Sequence, residues 1–113
     1  MKKLFFLIVF VFLSHISFSQ TVTYTDYDEN GVIEYVKTNS DDIVIEEGYY
    51  YKGKPYGIWK SYWNNGELRC IAQFKDGKRT GVWKFYNNDG KLNQKVTYAE
   101  NRVTYAIQHR YFE

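Results

Sequence analysis

The chain has 113 residues, with 15 basic and 13 acidic side chains and a formal net charge of +2. That length holds one small domain. Its only cysteine, Cys70, excludes an intramolecular disulfide, so stability must come from packing.

The first element in chain order is a leader. Lys2 and Lys3 precede an unbroken apolar run from Leu4 to Leu13, and Ser17 and Ser19 then stand at the small-residue positions that signal peptidase reads. Ten apolar residues fall short of the roughly 20 a membrane-spanning helix requires. The expectation is a signal peptide over residues 1–19, a mature chain starting at Gln20 that does not span a membrane, and export to the periplasm or the extracellular space. No cysteine follows the apolar run, so there is no acceptor for a bacterial lipid anchor. Export also argues against nucleic acid as a partner.

Without Lys2 and Lys3 the charges balance, but they are unevenly spread. Residues 20–47 carry eight acids against Lys37 alone, and residues 48–113 carry twelve basic side chains against five acidic ones. Two such halves pair with each other or present two fields to a partner; internal pairing is the simpler expectation. The acidic segment, residues 20–47, reads as strands with a degenerate repeat. Tyr27-Asp28-Glu29-Asn30-Gly31-Val32-Ile33 is a Tyr-x-x-x-Gly-x-apolar turn, and an insertion around residues 36–44 breaks the spacing that follows. Asp26, Asp28, Asn30 and Gly31 match the opening of an EF-hand calcium loop. Lys37 occupies the place of the closing glutamate and Thr21-Val22-Thr23-Tyr24 is strand-like, so an acidic repeat turn without metal is expected.

Residues 48–113 form the repeat region. The stretch from Tyr50 to Leu68 aligns without gaps, 24 residues on, with Phe74 to Leu92, and nine positions are identical. Identity at one fixed offset marks an internal repeat. A degenerate third start follows at Tyr98, with Asn101 in the place of glycine, Tyr105 replacing the next glycine and Ile107 replacing tryptophan. Degenerate ends are expected where a repeat array meets water. Asn65-Gly66, Asp76-Gly77 and Asp89-Gly90 predict two-residue type I′ hairpin turns. Between them lie short segments rich in aromatic and β-branched residues. These turns set Trp59 opposite Ala72, Trp83 opposite Val96, and Cys70 opposite Trp83. One face then carries Trp59, Leu68, Cys70, Ala72, Phe74, Trp83, Phe85, Leu92, Val96 and Tyr98, and reads as a core. The other carries Ile58, Lys60, Tyr62, Arg69, Ile71, Lys84, Tyr86 and Lys95.

The spacing Gly-Lys-x-x-Gly-x-Trp-x-x-Tyr-x-x-x-Gly-x-Leu, carried by Gly53, Gly57, Trp59, Tyr62, Gly66 and Leu68 and again by Gly77, Gly81, Trp83, Tyr86, Gly90 and Leu92, resembles the MORN-variant repeat of the YwqK-like antitoxin family. The resemblance covers roughly half the mature chain, Tyr50 to Tyr98. It implies an all-β, elongated antiparallel meander of repeated hairpins, usually without catalysis, and a role like that of antitoxin or immunity proteins that occupy a cognate toxin. The signal peptide and the acidic N-terminal part depart from that family's pattern.

Few residues carry chemistry. Gly48 to Lys54 imitates a phosphate loop, but Pro55 replaces the Ser or Thr and a strand follows in place of a helix. Cys70 and His109 are one thiol and one imidazole. They are too few for zinc, and the thiol is expected on the apolar face, where thiolate formation is suppressed. The expectation is therefore no catalytic residue, no cofactor and no metal. The candidate site is a partner-binding surface of Tyr56, Lys60, Tyr62, Trp63, Lys84 and Tyr86, since Tyr and Trp bury large areas at low entropic cost. The competing reading is that tyrosines merely pave a two-sided sheet. The expected function is an exported binding protein that holds a protein partner, with a toxin as the sharpest case. The alternative is a structural or carbohydrate-contacting module of the cell envelope.

Overall fold

The computed structural model describes residues 19–109, so the expected signal peptide lies outside the described residues except for Ser19. It is an all-β chain with no helix among those residues. The strands are β1 (Thr21–Asp26), β2 (Val32–Thr38), β3 (Val44–Tyr51), β4 (Lys54–Tyr62), β5 (Leu68–Lys75), β6 (Lys78–Arg79), β7 (Gly81–Tyr86), β8 (Leu92–Ala99) and β9 (Arg102–Gln108). They form one open antiparallel meander in chain order, in which β6 and β7 are two pieces of one strand beside β5.

Turn chemistry alternates along the sheet. At one end the turns are Lys52-Gly53, Asp76-Gly77 and Glu100-Asn101, and both central residues of each have positive φ, as type I′ requires. Asp76-Gly77 is thus the turn expected from sequence. Asn65-Gly66 and Asp89-Gly90 are not. There only the glycine has positive φ, and the hydrogen bonds Trp63 N–H to Glu67 O and Asn87 N–H to Lys91 O close three-residue loops. Asn65 and Asp89 stay out of the left-handed region and use their side chains to accept the N–H of Glu67 and Lys91. Each longer loop is followed by a one-residue bulge, at Arg69 opposite Ser61 and Tyr62 and at Asn93 opposite Phe85 and Tyr86. Loop and bulge cancel, so Trp59 faces Ala72 and Trp83 faces Val96 as expected. Leu68 and Leu92 lie beyond the bulges and pair with Tyr62 and Tyr86, so they belong to the tyrosine face and not to the tryptophan face.

A second irregularity repeats every 24 residues. The register of β3 with β4 shifts between Glu47 and Tyr49, and β5 passes from pairing Phe74 with Arg79 to pairing Cys70 with Phe85. Each shift falls at a glycine in the left-handed region, Gly57 (φ 72°) or Gly81 (φ 69°). An L-residue there costs roughly 1–2 kcal/mol. The shift is two residues, so facing is preserved while partners change. Cys70 therefore stands opposite Phe85 rather than opposite Trp83.

The sheet is one layer. Only Val32, Tyr35, Ala72 and Val96 are buried among the hydrophobic residues described, and no large side chain is fully buried. The tryptophan face, expected as a core, has no second layer over it among the described residues. Its packing is lateral. Tyr24, Tyr35, Tyr50, Trp59, Phe74, Trp83 and Tyr98 form a ladder of rings across the strands, with successive contacts at 5.1–6.2 Å between centroids. Gly48, Ala72 and Val96, three positions 24 residues apart, are all buried beside the indoles, as Val32 and Tyr35 are buried in β2.

Candidate functional site

The meander lays out a cross-strand row on the face away from the ring ladder. Glu47 pairs with Lys60, Lys60 with Ile71, Ile71 with Lys84, Lys84 with Lys95, and Lys95 with Ile107. Opposite residues in an antiparallel pair share a face, so three lysines, one glutamate and two isoleucines line up across six strands. Tyr62 stands one pleat along from Lys60, and burial first, then the charge and hydrogen bond of Glu47, raise its phenol above the ordinary range. Tyr86 occupies the same place beside Lys84. Lys60, Tyr62, Lys84 and Tyr86 are thus brought together as expected from sequence.

The other two candidates fall elsewhere. Tyr56, 46 % exposed, pairs with Tyr49 at the type I′ end of β4 and packs its ring 5.7 Å from Tyr51. Six residues of strand, roughly 20 Å, separate it from Tyr62. Trp63 begins the three-residue loop at the opposite end, half-buried, with the Arg69 guanidinium 4.8 Å from its ring centre. That cation occupies the indole face a partner would stack on. Between these extremes lies an open groove of about 300 Å³, lined by Glu34, Val36, Val44, Glu47, Tyr49, Ile58 and Lys60. It combines apolar walls with both signs of charge, and it extends the Tyr–Lys row toward β2. Sequence reasoning missed it because Glu34 and Val36 belong to the segment whose spacing is broken.

The remaining motifs resolve into structural elements. A single Asp28 carboxylate oxygen accepts the N–H groups of Asn30 (2.9 Å) and Val32 (3.2 Å), closing the turn as Asn39 does for Asp41 and Ile43. No group of three or more His, Cys, Asp or Glu side chains among the described residues is arranged to hold a metal. Gly48 lies within β3 under Trp59, and Lys52-Gly53 is a hairpin turn, so the phosphate-loop imitation is repeat punctuation. Cys70 faces Ser61 and Phe85, and burial pushes its thiol up despite Arg69 and the Ser61 hydrogen bond. The backbone N–H of His109 donates to Asn93 O of β8. Three strand spacings, roughly 14 Å, divide the thiol's strand from β9, so the two do not form a nucleophile–base pair.

The expected internal pairing of the acidic and basic halves is local only. Glu47 faces Lys60 across the boundary of the two halves, whereas Lys37 faces Glu46 within the acidic half itself. The acidic turn at Asp26–Glu29 and the basic turns near β9 stand at opposite flanks of the open sheet.

On the ladder face, burial first and then the Glu46 carboxylate push the Tyr35 phenol up to about 12. Burial likewise raises Tyr49 and Tyr50. The unfolded chain loses these protons near pH 10 while the folded chain keeps them, so folding stability is full below pH 10 and falls as pH rises toward 12. The urea midpoint is expected to drop across that window, with a shallower fall for Tyr35→Phe. Equal slopes in both proteins would show that Tyr35 titrates normally.

No curated protein and no solved structure matches the chain. Residues 55–76 and 79–100 match the family described as MORN repeat variant, so the two regular hairpin units of this sheet are MORN-variant repeats.

Proposed function

We propose that this chain is an exported, non-catalytic binding protein that holds a protein partner against the Tyr–Lys face of its repeat sheet. The observation that carries this reading is the row Glu47–Lys60–Ile71–Lys84–Lys95 with Tyr62 and Tyr86 beside it, on a one-layer sheet that leaves the row open. Tyrosine is enriched in protein-binding hot spots, and an interface sets apolar groups at its centre with charged groups at its rim. Two MORN-variant repeats support a repeat-based binding module. An immunity-like protein that occupies a toxin is the sharpest form, supported by the resemblance to the YwqK-like antitoxin family. Contact with envelope carbohydrate has less support. Sugars stack on flat ring faces, and the ladder rings are tilted against one another by 32–83°.

The test is affinity capture from envelope extract with the wild-type protein and with Tyr62→Ala/Tyr86→Ala. A specific protein is expected with the wild type. The double variant is expected to bind it at least about thirtyfold more weakly, since a hot-spot tyrosine contributes roughly 2 kcal/mol or more. Recovery of the same proteins by both would remove this face from the binding role.

A further inference from the structure

Both flanks of the sheet are open, and they are complementary. Among the described residues, β1 and β9 each pair on one side only. Every residue of both strands is exposed, including Tyr24 at 63 % and Tyr105 at 60 %. Edge strands are ordinarily protected by lysine, proline or inward charge. Here Thr21–Thr25 and Val103–Gln108 contain none of these and are rich in β-branched residues and tyrosine.

Three features single out one way of joining the edges. Counting β6 and β7 as one broken strand, the meander has eight strand positions, an even number, so β1 and β9 run in opposite directions. A second copy placed beside the first in the same orientation therefore sets its β1 antiparallel to β9, with both faces continuing across the junction. The repeat phase agrees: β9 follows a type I′ turn as β4 and β6 do, and in both earlier cases the next strand is a return strand. At an offset of 24 residues from β3, β1 stands at the position of such a return strand. Charge agrees as well. Alternating directions put the Tyr27–Gly31 turn at the same end of the sheet as the type I′ turns. Same-orientation addition then brings Asp26, Asp28 and Glu29 of one copy beside Arg102 of the other and near Arg79, whose guanidinium is bonded to Asn101 in the β8–β9 turn. Joining two β1 edges about a two-fold axis would instead put these acids at the same end of the joined sheet as Asp41 and Asp42 of the partner copy, with no basic side chain of β1 between them.

We propose that this protein self-associates head to tail, the β9 edge of one copy adding the β1 strand of the next to extend a single sheet. Such an interface is heterologous and does not close at a dimer. It is independent of the partner-binding reading, because it uses strand edges and not the Tyr–Lys face.

Sedimentation velocity on the purified protein, its N-terminus read by mass spectrometry, tests this across a concentration series. Species beyond the dimer are expected to grow with concentration. Asp26→Arg and Arg102→Glu alone should each weaken association at least about fivefold, and an equimolar mixture of the two variants should restore it, because every unlike junction regains opposite charges. Ala106→Pro should leave a monomer. His109 donates its N–H inward to β8, so by alternation the Ala106 N–H points outward, and its loss leaves the fold intact by circular dichroism. A wild-type monomer at all concentrations, a closed dimer, or a mixture no better than either variant alone would overturn the proposal.

Discussion

Replacing Trp59 by alanine is expected to lower folding stability by about 3–5 kcal/mol, a large share of what a domain of this size possesses. The reason lies in the absence of a second layer among the described residues. Trp59 contacts the rings of Tyr35 (5.2 Å), Tyr50 (5.1 Å) and Phe74 (6.2 Å), and its indole N–H donates to Tyr49 O at 3.0 Å. It therefore bridges three strands besides its own, and in a sheet packed only sideways nothing collapses onto the space it leaves. Trp83 plays the same role in the following repeat. It contacts Phe74, Phe85 and Tyr98 and donates to Gln73 O, the residue equivalent to Tyr49. Trp59→Phe keeps a ring and loses the hydrogen bond, so its cost should be nearer 1 kcal/mol. Urea unfolding of the three proteins checks the order. Equal losses for the alanine and phenylalanine variants would show that the hydrogen bond, and not the ring ladder, holds the strands together.

Much of this arrangement is legible in the sequence, and what is not has identifiable causes. The nine identities between Tyr50–Leu68 and Phe74–Leu92, at an offset of 24 residues, are enough to place turns and strands, and alternation from Trp59 assigns most side chains to a face. Asn65-Gly66 and Asp89-Gly90 mislead in turn type because a three-residue loop with glycine in the left-handed position uses the same two residues as a type I′ turn. The extra loop residue is offset by the bulge beside it. The pairing of Trp59 with Ala72 therefore holds, while Leu68 and Leu92 land on the face opposite to the one expected. Gly57 and Gly81 are visible as repeated glycines, but their local pattern does not say that they shift the register by two. Of the candidate site, Lys60, Tyr62, Lys84 and Tyr86 follow from alternation alone. Tyr56 and Trp63 enter for their chemistry, and only their distance along β4 separates them from the rest. An apolar face reads as a core in any sequence, since periodicity reports which side chains share a face and not whether anything covers it.

Replacing Gly48 by alanine should cost about 2 kcal/mol, within the usual range for overpacking, although the added methyl is small and alanine is otherwise the better strand residue. Gly48 is buried beneath the Trp59 indole, and a Cβ on it would overlap that ring. The indole cannot shift freely, because its N–H is held by Tyr49 O and its ring is in lateral contact with Tyr35 and Tyr50. In the following repeat the same place is Ala72, buried with its native methyl beside Trp83. The two seats have therefore been fitted to different side chains, and exchanging them should be asymmetric. Ala72→Gly loses only a methyl and some backbone order, about 0.5–1 kcal/mol, whereas Gly48→Ala forces the ring outward. In a Trp59→Leu background the same Gly48→Ala change should cost less than about 0.5 kcal/mol, because the obstructing ring is gone and the two residues are energetically coupled. A cost at position 48 that does not depend on residue 59 would place the difficulty in the strand backbone and leave the indole out of it.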